Sequence, residues 1–168
     1  MQNLDEKEQQ RLGNIYNSAG AKYPKNPETE KNVNKLYDVI EKLNSKMIEN
    51  SRNLCKEEYE DLSNYATINS LGMEIKPNAD ENKLQGSLEK YQLCVESNNK
   101  NLVGELQKFD YDFADLSADL NNCLDGTAVN SKAKSDNEIE KSMFDCFKRF
   151  EDIHQKLTFK YTESFSKI

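Results

Sequence analysis

The sequence predicts an all-α fold: two antiparallel helical hairpins, or a bundle of three to four long helices, with a polar N-terminal arm. Three observations carry that expectation. Apolar residues return at steps of three and four over long stretches, which gathers them on one face of a helix. No strand-like alternation competes with this period, and no internal repeat stands out. Four cysteines, Cys55, Cys94, Cys123 and Cys146, fall one to a helical segment, in two pairs nearly symmetric about the turn-like runs 71–82 and 126–137. Antiparallel helices bring together residues equidistant from their loop, so this layout suits two stapled hairpins.

Residues 1–27 read as a polar arm, separate from a helical domain over 28–168. Leu4, Leu12, Ile15 and Tyr16 suit a short amphipathic helix around 3–18, while Gly13, Gly20, Pro24 and Pro27 argue against a long regular one. Such an arm is expected to find its order by docking onto a partner. Asn26-Pro27-Glu28 then forms a helix start, with Asn as the cap, Pro at the first helical position and an acid in the first turn.

Val33, Leu36, Ile40, Leu43, Met47, Leu54 and Leu62 place one buried face on a helix expected over about 27–69, widened by Tyr37, Ile48, Cys55, Tyr59 and Tyr65. Gly72 and Pro77 end it. The next stripe runs through Leu84, Leu88, Tyr91 and Val95, then Leu102, Leu106, Phe109, Phe113, Leu116, Leu120 and Cys123. Residues 96–101 are poor helix material, so one helix with a local weakness at Asn98 is expected there. Gly126 is expected to stop it in a left-handed cap. Ser135 and Glu138 form a capping box before a last helix whose face is Ile139, Met143, Cys146, Phe147, Phe150, Leu157, Tyr161, Phe165 and Ile168.

At 168 residues the chain can bury a core without help, so disulfides would reinforce it. A net charge of −7, with no cluster of Lys and Arg, argues against nucleic acid as a partner. No apolar run approaches the ~20 residues of a transmembrane helix. The N-terminus lacks a secretory apolar region and a basic amphipathic presequence, and no Asn begins an N-x-Ser/Thr site, so no cleavable address and no secreted glycoprotein is expected.

Catalytic chemistry finds little to stand on, and no catalytic residue is predicted. His154 is the only histidine. It sits at the edge of the last helix's apolar face, two turns from Cys146 and too far for a hydrogen bond, which suits a structural residue. Zinc needs closely spaced ligand pairs, a di-iron bundle needs two histidines, and neither pattern occurs. Asp110, Asp112 and Asp115 mimic a calcium loop but lack its glycine and final Glu, and they share their stretch with Phe109 and Phe113 on the helical stripe. No glycine-rich phosphate loop precedes a helix. No metal and no cofactor is therefore expected.

The cysteines leave two readings open. Four free, buried thiols need no further explanation in a cytosolic helical protein. Alternatively Cys55 pairs with Cys94 and Cys123 with Cys146, one of three possible connectivities and the one that matches the loop symmetry. Each staple would then contribute on the order of 3 to 4 kcal/mol in the chain-entropy model.

This layout resembles the cysteine-stapled helical hairpins of the mitochondrial intermembrane space, the small Tim chaperones and related twin-CX3C proteins. The resemblance is architectural and spans residues 28–168, including Asn53-Leu-Cys55, Gln92-Leu-Cys94, Asn121-Asn-Cys123 and Phe144-Asp-Cys146. Where those families carry a second cysteine four residues away, this chain has Ser51 or Tyr59, Asn98, Asp119 or Thr127, and Ser142 or Phe150, leaving one staple per hairpin. The resemblance implies oxidative import without a presequence, no cofactor, and a chaperone or assembly role.

The expected function is thus a non-enzymatic accessory subunit, bound to protein subunits of a respiratory-chain complex on the intermembrane-space side of the mitochondrial inner membrane. It would lie peripheral to the membrane. The alternatives are a cytosolic or ciliary cytoskeletal coiled-coil protein with reduced cysteines, and a carrier of a hydrophobic ligand, which would need a cavity between its Phe-rich helices.

Overall fold

In the computed structural model, which describes residues 4–69 and 72–168, the fold is all-α with one small strand hairpin among the described residues. Residues 1–3 of the expected arm and Leu71 of the first turn-like run lie outside the described residues. In chain order the elements are α1 (Glu6–Lys22), α2 (Pro27–Leu54), α3 (Lys56–Ser63), β1 (Ala66–Asn69), β2 (Gly72–Ile75), α4 (Glu81–Asn98), α5 (Lys100–Thr127) and α6 (Asp136–Ser166). A single 3-10 turn, Ser131–Ala133, leads into α6. No helix among the described residues is long and apolar enough to cross a membrane. The chain divides into two units, Met1–Asn34 with Phe109–Tyr161 and Lys35–Lys108 with Thr162–Ile168.

In the unit containing Lys35–Lys108, α3 and α4 run antiparallel. The register is set by Asp61 facing Ser87, Tyr59 facing Tyr91 and Cys55 bonded to Cys94, pairs that step in opposite directions along the two helices. Cys55, Leu62, Ala66, Leu84 and Tyr91 form its core, with Tyr59, Tyr65, Ile68, Leu88 and Val95 packed around them. Full burial of a leucine such as Leu62 removes enough apolar area from water to favour folding by about 1.5–3 kcal/mol.

The single helix expected over about 27–69 is instead α2, α3 and a strand. Cys55 leaves helical geometry, at φ −115° and ψ 44°, yet its N–H still reaches Ser51 O and its carbonyl still accepts from Tyr59 N–H. The result is a local break that rotates the face: Leu54, expected in the core, is exposed, while Leu62 is fully buried. Beyond Ser63, Thr67 and Ile68 extend β1, which pairs antiparallel with β2, Ala66 opposite Ile75 and Asn69 opposite Gly72. β-Branched residues favour this pleated conformation. Lys76 extends the ladder by donating to Tyr65 O at 2.9 Å.

The weakness expected at Asn98 falls at Asn99, the one non-helical residue between α4 and α5. Hydrogen bonds from Asn99 N–H to Val95 O and from Val103 N–H to Asn99 O carry the helical ladder through the break.

In the unit containing Phe109–Tyr161, α5 and α6 run antiparallel, with Cys123 bonded to Cys146 near the loop and Asp112 facing Tyr161 further from it. Gly126 does not cap α5, which continues to Thr127; the left-handed position is taken by Asn130, at φ 55°. The capping box forms as expected, Ser135 N–H donating to Glu138 Oε2 at 2.7 Å and Glu138 N–H to Ser135 Oγ at 3.2 Å. Asn26 caps α2 through Oδ1, 3.0 Å from Glu28 N.

The 1–27 arm differs most from expectation. Its described part folds into α1, seventeen residues long despite Gly13 and Gly20, and buries Ile15 and Ala19 against Ile139 and Met143 of α6. Arg11 fastens it: the guanidinium donates to Asp136, to Glu8, and to the carbonyls of Ser131 and Lys134. Glu8, nearly buried, also accepts from Ser131 Oγ at 2.7 Å. These apolar and charged contacts of the segment lie within its own chain.

Candidate functional site

Two features carry chemistry beyond packing: the sulfur pairs and a cleft beside α6. Cys55 and Cys94 are disulfide-bonded with Cα atoms 6.0 Å apart, and Cys123 and Cys146 with Cα atoms 5.8 Å apart, within the range such a bond spans. All four cysteines are used, so no thiol remains. Asn98 sits over the first staple, its Nδ2 3.5 Å from Cys55 Sγ and 3.4 Å from Cys94 Sγ while donating to Cys94 O at 2.9 Å. One turn before Cys55, the fully buried Ser51 accepts from Asn99 Nδ2 at 3.4 Å. Asn98 and Ser51 thus set polar side chains beside this staple.

Cys55 Sγ, Cys94 Sγ and a Glu58 oxygen lie within 4.8 Å of one another. Both sulfurs are bonded to each other, so neither offers the thiolate that a metal ion would require.

His154 lies where the periodicity placed it, partly buried on α6, with Phe113 and Phe150 ring centroids at 5.4 and 5.6 Å. Burial pushes its pKa below 6.5, while the carboxylate of Glu151 pulls the other way. Its Nδ1 is 3.5 Å from Thr158 Oγ1, a long contact. Cys146, its neighbour two turns away, is held in a disulfide, so this pair has no nucleophile to activate.

The same stretch of α6 forms one wall of an open cleft of about 510 Å³. Tyr16 and Tyr23, from α1 and its end, face Phe147 and Phe150 of α6 across it, with Leu120 and Pro24 adding apolar surface. Tyr16 and Tyr23 meet the Phe147 ring edge-on at 5.9 and 5.6 Å. Glu151 supplies the polar end. One oxygen accepts from Tyr23 Oη at 2.6 Å and the other from Thr29 Oγ1 at 3.2 Å. Burial, then the adjoining Glu151 carboxylate, push the Tyr23 hydroxyl up to about 12. Gln155 donates to Thr29 Oγ1 and completes the chain of bonds that holds the carboxylate in place.

Further along the α5–α6 pair, Tyr161 Oη donates to Asp112 Oδ2 at 2.6 Å and Lys160 Nζ approaches the same oxygen at 3.0 Å. These two bonds hold the Asp112 carboxyl below its ordinary range. The acidic run that mimics a calcium loop thus spends Asp112 on tying two helices together. In the other unit, a smaller cleft of about 400 Å³ is lined by Leu43, Met47, Asn98 and Leu102.

Of the predicted site residues, Cys55, Cys94, Cys123 and Cys146 come together in the expected pairs. Sequence reasoning did not find the Tyr23–Glu151 pair or the Arg11 cluster. Apart from the Arg11–Glu8 pair within α1, their members are more than a hundred residues apart, so periodicity gives no signal for them. Several large apolar side chains stay exposed, among them Tyr37 at 64%, Leu93 at 65%, Tyr111 at 71% and Phe159 at 70%. The chain matches no protein-family model, no curated protein and no solved structure.

Proposed function

We propose that the protein is a non-enzymatic helical accessory subunit that works in an oxidising compartment, bound to protein subunits of a larger assembly. One observation carries this reading: every cysteine of the chain is spent in a staple between paired helices. Bonds of that kind persist where thiols are oxidised and are rare in the cytosol. The sole histidine, wedged between phenylalanines, supports a structural role in place of a catalytic one. Exposed tyrosine, phenylalanine and leucine side chains supply the aromatic and aliphatic surface that interfaces favour.

The compartment we propose is the mitochondrial intermembrane space, and the assembly a respiratory-chain complex of the inner membrane, the protein lying peripheral to the membrane. Two single-stapled helix pairs resemble the small Tim architecture, which supports that setting. The test is affinity purification of the tagged chain from mitochondria-enriched membranes without reductant. Stoichiometric recovery of respiratory-chain subunits supports the proposal. Recovery with cytoskeletal subunits and reduced cysteines supports the cytosolic or ciliary alternative and overturns it.

A further inference from the structure

The cleft beside α6 combines aromatic and acidic surface. Four aromatic rings, those of Tyr16, Tyr23, Phe147 and Phe150, line an open volume of about 510 Å³. At one end stands Glu151, a carboxylate whose hydrogen-bond partners are the neutral hydroxyls of Tyr23 and Thr29. No lysine or arginine pairs with it among the described residues. Glu30, exposed at the rim, is likewise unpaired by any of these ion pairs. Lys25 is the single lysine or arginine in the lining and is exposed at the mouth.

We infer that this cleft binds the basic side chain of a partner protein, an arginine for preference, with its charged head on Glu151 and its alkyl stem along the aromatic lining. A guanidinium is planar, stacks on aromatic faces, and carries enough N–H donors to reach a carboxylate whose two oxygens each already accept one bond. The hydroxyls of Tyr23 and Thr29 fix Glu151 in position, so little ordering is left to the moment of binding. Charge favours the same occupant. Two carboxylates line the cleft against one lysine, on a chain of net charge −7. The inference deepens the reading of the chain as a protein-bound subunit and rests on it for the source of the side chain.

The probe is N-acetyl-arginine amide, titrated into the intact oxidised chain and followed by amide NMR shifts, with N-acetyl-citrulline amide as its neutral isostere. Shifts are expected to concentrate at Gly20, Tyr23, Phe147, Glu151 and His154. The citrulline compound should bind about tenfold more weakly, the size of effect that one charge-assisted contact plus a cation–π contact supplies. Glu151→Gln should abolish the preference. Because that change also touches the Tyr23 bond, Glu30→Gln at the exposed rim serves as a second variant, expected to weaken arginine by about twofold without affecting the fold. Equal binding of the two probes, shifts scattered over the surface, or tight binding of an apolar anion such as anilinonaphthalene sulfonate with none of arginine would overturn the inference. Each of these leaves the accessory-subunit proposal standing, since co-purification decides that separately.

Discussion

Tyr23 donates its hydroxyl hydrogen to Glu151 Oε2 at 2.6 Å, joining the end of α1 to the middle of α6 across 128 residues of sequence. The bond sits at the polar end of the aromatic cleft, so its strength bears on both the docking of α1 and the placement of the carboxylate. The raised pKa of Tyr23 gives it a direct readout. Its folded value, about 12, lies above the ordinary 10.0, so its contribution to stability is complete below pH 10 and is lost as pH rises through about 12. Spectrophotometric titration should show a late-titrating tyrosine that disappears in Tyr23→Phe, and that variant should lose less stability than the parent above pH 10. A Tyr23→Phe titration identical to the parent's would contradict this placement.

His154 gives a second pH dependence, of opposite direction. Its folded pKa lies below the ordinary 6.5 because burial among Phe113 and Phe150 disfavours the imidazolium. The unfolded chain takes up a proton first as pH falls, so stability should drop once pH passes below about 6.5 and continue to drop down to the folded value. Urea midpoints measured from pH 7.5 to 5 should fall for the parent and fall less for His154→Phe.

Arg11 ties α1 to the start of α6 and to the turn before it. Its guanidinium meets Glu8, whose side chain is 9% exposed, and two backbone carbonyls as well as Asp136. Arg11→Ala removes one of the two partners of Glu8 and leaves two carbonyls without this donor, so the variant should be less stable than the parent. Hydrogen exchange should rise across α1 more than across α3 and α4. Uniform acceleration over both units would assign Arg11 no special role.

Removing the staples tests their separate weights. The bond between Cys55 and Cys94 closes 39 residues and that between Cys123 and Cys146 closes 23, so the chain-entropy account makes the first the more stabilising by about half a kcal/mol. Paired alanine variants compared by urea unfolding should each lose on the order of 3 kcal/mol, in that order. A loss under ~0.5 kcal/mol for both would mean that packing alone holds these helices.

The fold class and both sulfur pairings were legible because they rest on spacing, which one sequence displays directly. Helix faces repeat every three to four residues, and residues equidistant from a loop meet in an antiparallel pair. The β1–β2 hairpin was not legible: four residues on each side are too few to establish alternation, and Thr67 and Ile68 fit the end of a helical stripe equally well. α1 was underrated because Gly13 and Gly20 each lower helix propensity by about 1 kcal/mol relative to Ala. That deficit is offset by burial of Ile15 and Ala19 and by the bonds of Arg11, contacts made with residues beyond 130 in the chain. Tyr23, Glu151 and the cleft between α1 and α6 escaped for the same reason. Tertiary placement brings them together, and no local pattern encodes it.

The oxidation state of the protein recovered from its own cells, without reductant, bears most directly on the whole account. Unfolding it in an alkylating reagent and mapping the peptides should leave Cys55, Cys94, Cys123 and Cys146 unmodified, with Cys55 joined to Cys94 and Cys123 to Cys146. Alkylation of all four before any reduction would remove the staples, and with them the case for an oxidising compartment.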